Sequence, residues 1–189
     1  DVTGARDFEM AQRGIARTFQ NIRLWKEMDV LDNVRAVCRG AEGYGFGAAV
    51  LRLPRFRRAE RAVTGKATAL LERLGLGDVL SESPGDLPYG DQRRLEIARA
   101  LALDPELLLL DEPAAGMNPT EKARLMETIR LLREEFRLTI LLIDHDMKFV
   151  MGICERIYVL DHGERIAHGT PAEIRCDRKV IEAYLGSEC

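Results

Sequence analysis

Apolar strand-like runs alternating with helix-like segments predict an α/β domain with a mainly parallel sheet. Three observations carry that prediction. Leu107–Leu110 is a wholly apolar run between the breaker Asp104-Pro105 and Asp111, the pattern of a buried parallel strand. Leu138–Ile143 is a second run of the same kind and reads as a second buried strand. Between them, Asn118-Pro119-Thr120-Glu121 reads as a helix start. Asn is the cap, Pro takes the first helical position, and Glu closes a capping box. Leu125, Ile129, Leu132 and Phe136 follow at helical spacing.

The remaining elements are read in chain order. Val2–Gly4 is a strand end or a turn, and Glu9–Arg17 a short helix leading to Thr18-Phe19-Gln20-Asn21. Val30–Val37 is mostly helical. Gly40–Gly47 carries four glycines, but no lysine follows and no strand precedes them, so a flexible loop is expected rather than a nucleotide loop. Arg52, Arg55, Arg57, Arg58 and Arg61 open a helix that runs through Leu70, Leu71 and Leu74 until Gly75 and Gly77 stop it. This basic cluster reads as a solvated helical face; the sharper alternative is contact with lipid headgroups or with an acidic loop of a partner. Asp91–Leu103 is a helix, and Asp104-Pro105 ends it. Met147–Met151 begins another. Ile157–Leu160 and Arg165–Ala167 flank Asp161-His162-Gly163-Glu164 as a hairpin, and Thr170-Pro171-Ala172-Glu173 is a further capped helix start.

Bulk composition narrows the function classes. In 189 residues, 46 % hydrophobic and 31 % charged side chains describe a globular domain with a real core. A formal net charge of −3 argues against a general nucleic-acid binder, which carries a basic excess. No apolar run reaches the roughly 18–20 residues that span a bilayer, so a membrane link must come through a partner. Cys38, Cys154, Cys176 and Cys189 lie far apart with no C-x-x-C pair, which suits reduced thiols in a cytosolic protein rather than a disulfide frame or zinc site.

Candidate chemistry gathers at strand ends. Asp111 and Glu112 follow the Leu107–Leu110 strand, which puts both carboxylates at the carboxyl edge of the sheet, where α/β folds bind ligands. An aspartate there can hold Mg²⁺, which prefers oxygen ligands, and the adjacent glutamate can deprotonate a water. Two acids after a strand also occur as ordinary caps. Upstream, Leu87-Pro88-Tyr89-Gly90-Asp91-Gln92-Arg93-Arg94 leads into a helix. A glycine at a helix entrance lets backbone N–H groups approach an anion, although a plain loop-to-helix turn would look alike. Downstream, Asp144-His145-Asp146 places a histidine at the end of the second strand.

Together these runs resemble the ATPase subunits of ABC transporters. Leu87–Arg99 is similar to the ABC signature, Leu107–Pro113 to the Walker B strand, Ala114–Pro119 to the D-loop, Asp144-His145-Asp146 to the histidine switch, and Arg17-Thr18-Phe19-Gln20 to the Q-loop. The stretches Gly14–Gln20, Tyr89–Arg99, Ala114–Pro119, Gly40–Arg58 and Ala183-Tyr184-Leu185-Gly186 resemble the branched-chain amino acid importer branch. The resemblance implies a P-loop NTPase-like core with a mainly parallel sheet and an inserted helical subdomain. It spreads over residues 1–189 as one domain incomplete at its N-terminus, with about 28–88 helical and 1–27 plus 89–189 as the rest of the core. It implies ATP and Mg²⁺ as cofactors, with Asp111 and Gln20 toward the metal. Glu112 would be the general base, Gln20 would sense the attacking water, and His145 would meet the γ-phosphate. Tyr89, Gly90 and Asp91 would cover ATP bound by the opposite subunit of a homo- or heterodimer, and Asn118 would lie at that dimer contact. Permease subunits and a periplasmic or extracellular solute-binding protein would be partners, nucleic acid would not, and the site of action would be the cytoplasmic face of the inner membrane.

Departures from the pattern shape further expectations. Pro88 stands where the usual signature has a serine, which leaves the Gly90 backbone and the helix dipole to meet phosphate. Asp144 stands where the branch often has glutamate. The chain opens on Asp1, and no G-x-x-x-x-G-K-[ST] occurs; Thr64-Gly65-Lys66-Ala67 lacks the upstream glycine. The resemblance therefore implies an N-terminal truncation before Val2. The expected consequences are weak ATP binding, an open sheet edge beside the Leu107–Leu110 strand, and an uncovered apolar face. Alternatives within the fold and beyond it are an ATPase for lipid or lipopolysaccharide export and a soluble ABC protein acting on DNA or ribosomes. The latter predicts a coiled-coil insertion or tandem cassettes, and neither occurs in the sequence. A non-catalytic scaffold is disfavoured by the intact Glu112 and His145.

Overall fold

The computed structural model describes residues 2–38 and 49–185 and divides the chain into two compact units, 1–143 and 144–189. The Gly40–Gly47 segment lies outside the described residues.

In the first unit, α1 (Asp7–Gln12) and β1 (Ile15–Arg17) replace the single helix expected over Glu9–Arg17. The reason is long-range. Gly14 takes φ +76°, its carbonyl accepts the amides of both Glu106 and Leu107, and Ile15–Arg17 then pairs in parallel with Leu107–Leu109. The cost of left-handed backbone falls on the residue type that carries it most easily.

The sheet order is β1–β2–β3, all parallel, with β2 (Leu107–Asp111) in the centre and β3 (Thr139–Ile143) beside it. Two expectations are corrected here. The Leu107–Leu110 strand has a neighbour on each side, so no open edge lies beside it. The second strand is not buried: Leu141 and Ile143 are 54 % and 59 % exposed, whereas Leu108 and Leu110 are 1 % exposed. Leu141 and Ile143 lie on the face they share with Leu109 and Asp111, which is less covered than the face of Leu108, Leu110, Ile140 and Leu142, as the expected uncovered apolar face requires.

Three helices bury the other side of this unit's core. α2 (Val30–Arg35) packs on α3 (Pro54–Arg73) and on α4 (Tyr89–Leu101). Asp29 caps α2 by accepting the Asp32 amide. α3 buries Val63, Ala67, Leu70 and Leu71, a stripe at helical spacing. It ends as the two glycines predict: Gly75 sits at φ +69°, its amide reaches the Glu72 carbonyl, and the Leu76 amide reaches back to Leu71, a Schellman stop. α4 starts at Tyr89, two residues before the sequence reading, because Pro88 supplies the non-helical residue ahead of it. α5 (Pro119–Phe136) has the expected cap: Asn118 Oδ1 accepts the Glu121 amide at 3.0 Å and Glu121 Oε2 accepts the Asn118 amide at 2.9 Å.

The second unit holds α6 (Met147–Ile153), the antiparallel pair β4 (Ile157–Asp161) and β5 (Glu164–Gly169), α7 (Pro171–Cys176) and the short α8 (Arg178–Val180), which runs into a π-turn at Ile181–Leu185. His162 and Gly163 both take positive φ, 48° and 83°, which makes the two-residue connection a hairpin turn of the primed type. Ile157, Val159, Ala167, Ile174 and Val180 are buried and form this unit's core. Among the described residues no helix is long and apolar enough to cross a membrane.

Candidate functional site

The carboxyl end of β2 assembles most of the predicted residues. Asp111 closes the strand, half-buried, and Arg17 at the end of neighbouring β1 donates to its Oδ2 at 2.9 Å. Parallel pairing brings the two side chains to one edge although 94 residues separate them. Glu112 follows with φ +43°, a left-handed conformation that costs a non-glycine residue roughly 1–3 kcal/mol. Its amide donates to the Ile143 carbonyl at 2.8 Å, which ties the turn to the end of β3.

The segment after β1 returns to this edge. Thr18 extends the pairing, with its amide and hydroxyl both donating to Leu109 O, and the chain then presents Gln20. Gln20 Nε2 donates to Glu112 Oε2 at 2.8 Å. The amide fixes the orientation of the Glu112 carboxylate at the sheet edge, and a carboxylate there can accept a proton from water. Phe19 beside it is flanked by the guanidinium groups of Arg17 and Arg23, 5.6 and 4.6 Å from its ring centroid.

Two residues that the sequence reading did not single out hold this loop. Arg93 on α4 is completely buried, and Glu96 one turn later is 5 % exposed. Arg93 donates to Glu96 Oε2 (2.7 Å), Phe19 O (2.7 Å) and Gln20 O (3.0 Å), with longer contacts to Tyr89 Oη (3.4 Å) and Glu112 O (3.5 Å). Glu96 Oε1 in turn accepts the Phe19 amide at 3.1 Å. This pair therefore joins the Gln20 segment, the start of α4 and the Glu112 turn. Its sequence signal was a glutamate three residues after Arg93, flanked by Leu95, Ile97 and Ala98, all fully buried. A charge pair inside an apolar stretch of helix is the clue. Arg99, further along α4, lies 3.9 Å above the Trp25 ring, and burial pulls its guanidinium pKa down.

The remaining predicted positions fall as follows. Tyr89, Gly90 and Asp91 form the first turn of α4, with Asp91 paired to Arg94. A Cβ placed on Gly90 would lie 3.6 Å from Glu121 Oε1, and one on Gly116 the same distance from the Tyr89 ring. The α4 turn thus stands against the turn and cap that open α5, where Asn118 sits exposed as the capping residue. His145 belongs to the second unit. Its imidazole is 73 % exposed, with Nδ1 3.9 Å from Oδ1 of the buried Asp144, and Asp146 caps α6 by accepting the Phe149 amide.

Asp111 and Gln20 each carry side-chain oxygen, the ligand type that Mg²⁺ prefers. Among the described residues no group of three or more His, Cys, Asp or Glu gathers around one point.

Comparison with known proteins places the chain in a family. The ABC transporter family model matches residues 1–115, and a model described as branched-chain amino acid ATP-binding cassette transporter matches residues 164–189. The high-affinity branched-chain amino acid transport ATP-binding protein LivG of Escherichia coli (strain K12) is 48 % identical over 178 residues, which cover 94 % of this chain and 70 % of LivG. The corresponding protein BraF of Pseudomonas aeruginosa is 44 % identical over 186 residues, 98 % of this chain and 73 % of BraF. Among solved structures, the ADP conformation of MJ1267, an ATP-binding cassette of an ABC transporter, superposes with a TM-score of 0.75 at 30 % identity and covers 95 % of this chain and 71 % of that one. The chain belongs to the ABC transporter family, among the ATP-binding proteins that include LivG and BraF.

Proposed function

We propose that the chain is part of the ATP-hydrolysing subunit that energises import of branched-chain, or other hydrophobic, amino acids across the cytoplasmic membrane. The observation that carries the hydrolytic part is the 2.8 Å hydrogen bond from Gln20 to Glu112 at the carboxyl end of the central strand. The solute class rests on the 48 % identity to LivG and on the family match over residues 164–189.

In this reading Glu112 accepts the proton of the attacking water, and Gln20 orients both that water and the Glu112 carboxylate. Asp111, fixed by Arg17, and the Gln20 amide oxygen would hold Mg²⁺, which would neutralise charge developing on the phosphate oxygens. His145 contacts the γ-phosphate. Tyr89, Gly90 and Asp91 present the α4 N-terminus to ATP bound by a second ATPase subunit, a favourable end of the helix dipole for phosphate. Asn118 lies at the contact between the two subunits. Residues 28–88 form an inserted helical subdomain, and 1–27 with 89–189 the catalytic core. The subunit works at the cytoplasmic face of the membrane with permease subunits and a solute-binding protein.

Uptake of labelled leucine, isoleucine and valine by cells carrying Glu112→Gln in the chromosomal gene tests the assignment. Uptake of at least one of the three should fall to background. Wild-type uptake of all three would overturn the solute class.

A further inference from the structure

The basic cluster at the start of α3 takes no part in the site above. Arg52, Pro54, Arg57, Arg58 and Arg61 line a cleft of about 410 Å³. None of the four arginines forms an ion pair among the described residues. The one acid between Arg52 and Arg61 is Glu60, and its carboxylate meets Arg35 on α2 at 2.9 Å. Five arginines against one glutamate give this ten-residue stretch a formal charge of +4, in a chain whose total is −3. A solvated helical face does not need this concentration, since like charges so close repel one another.

The cluster also has an apolar border. Val50, Leu51 and Leu53 are 63 %, 71 % and 43 % exposed, and they adjoin Arg52 and Pro54 in the chain. The buried stripe of α3 begins only at Val63, so these aliphatic side chains belong to no core. Arg52 itself sits at φ +48°, in the turn that connects Val50 and Leu51 to the start of α3.

We propose that this arginine cleft with its aliphatic border binds the phosphate of anionic phospholipid headgroups at a membrane surface. Guanidinium groups match phosphate oxygens in pairs and shed water more readily than ammonium groups. Exposed Val and Leu beside them suit the boundary where headgroup phosphates overlie acyl chains. Free phosphate would use the arginines and leave Val50, Leu51 and Leu53 in water. An acidic peptide would supply charge with no apolar layer to receive them. The proposal stands apart from the ATPase reading and can fail without it.

Flotation of the 189-residue chain with vesicles of about 30 % phosphatidylglycerol in phosphatidylcholine, against phosphatidylcholine alone, is the test. Binding is expected only to the anionic vesicles, with loss at about 0.5 M NaCl. Arg57→Gln with Arg58→Gln should bind roughly 30-fold more weakly, and Leu51→Ser should also bind more weakly. All three positions are exposed, and an unchanged circular dichroism spectrum confirms that the variants fold. Equal binding to both vesicle types would overturn the proposal, as would wild-type binding by the double arginine variant. Release from anionic vesicles by about 10 mM inorganic phosphate at constant ionic strength would assign the cleft to free phosphate instead. Binding of a glutamate-rich peptide without any vesicle binding would assign it to a protein partner.

Discussion

Replacing Arg93 by methionine should destabilise the first unit by about 3–5 kcal/mol, because it strands a buried charge. The figure follows from what the guanidinium touches. Glu96 is 5 % exposed, and its Oε2 accepts from Arg93 at 2.7 Å; without that partner the carboxylate keeps the hydrogen bond from the Phe19 amide. The carbonyls of Phe19 and Gln20 lose their donors as well, although both lie on a segment that can move toward water. Arg93→Met combined with Glu96→Met removes both charges. It should cost less than Arg93→Met alone, by at least about 1 kcal/mol, since two apolar side chains replace an ion pair that had paid heavily in desolvation. Trp25 is the only tryptophan of the chain and belongs to the first unit, so its fluorescence in urea reports that unit's stability. A shift in midpoint at constant slope is the expected readout. Additive costs in the double variant, or a loss below about 1 kcal/mol for Arg93→Met, would refute the claim that this pair braces the Gln20 segment.

Three further outcomes follow from local geometry. Asn118→Ala should lose about 1 kcal/mol in the same unfolding experiment and Asn118→Gly only a few tenths, because glycine still accommodates the cap conformation. Cys176 is exposed, whereas burial raises the thiol pKa of Cys38 and Cys154. A maleimide at neutral pH should therefore label Cys176 well before either of the others, as read by peptide mass spectrometry. Glu173 accepts hydrogen bonds from the Thr170 amide and hydroxyl, which holds its carboxyl below the usual value of 4.5. A lowered folded pKa means that this contribution is complete above 4.5 and disappears as the pH falls through the lower folded value. Amides at the start of α7 should lose exchange protection on acidification through that range, after correction for intrinsic rates, and unchanged protection would contradict the cap.

Features governed by neighbours in sequence were legible before the fold. Asn118, Pro119 and Glu121 announced the start of α5, and His162-Gly163 announced the β4–β5 turn, because each depends on contacts within a few residues. Leu107–Leu110 was legible as a strand because four leucines between breakers leave little else. Long-range pairing escaped. Ile15–Arg17 looks like a continuation of α1 until its register with Leu107–Leu109 is seen. Leu138–Ile143 was right as a strand and wrong in burial, since leucine and isoleucine report a preference for cover and not whether cover is present. Residue types alone made Asp111 and Glu112 candidates, and family resemblance added Gln20. The hydrogen bond that joins Gln20 to Glu112 crosses 92 residues and could not be read from spacing. Arg93 and Glu96 were missed because arginine and glutamate three apart on a helix usually form an exposed pair of small worth. Here the flanking Leu95, Ile97 and Ala98 carry the pair into the core.

The central claim is that Glu112, positioned by Gln20, activates the water that hydrolyses ATP. It is tested most directly by the Mg²⁺-dependent ATPase rate of the transporter assembled with this subunit, compared with the same assembly carrying Glu112→Gln. General-base catalysis contributes about 10²–10⁴-fold, so the variant should retain at most about one hundredth of the rate while nucleotide affinity stays the same. A variant rate within about twofold of wild type would contradict the account, because such a difference is far below what loss of a general base produces.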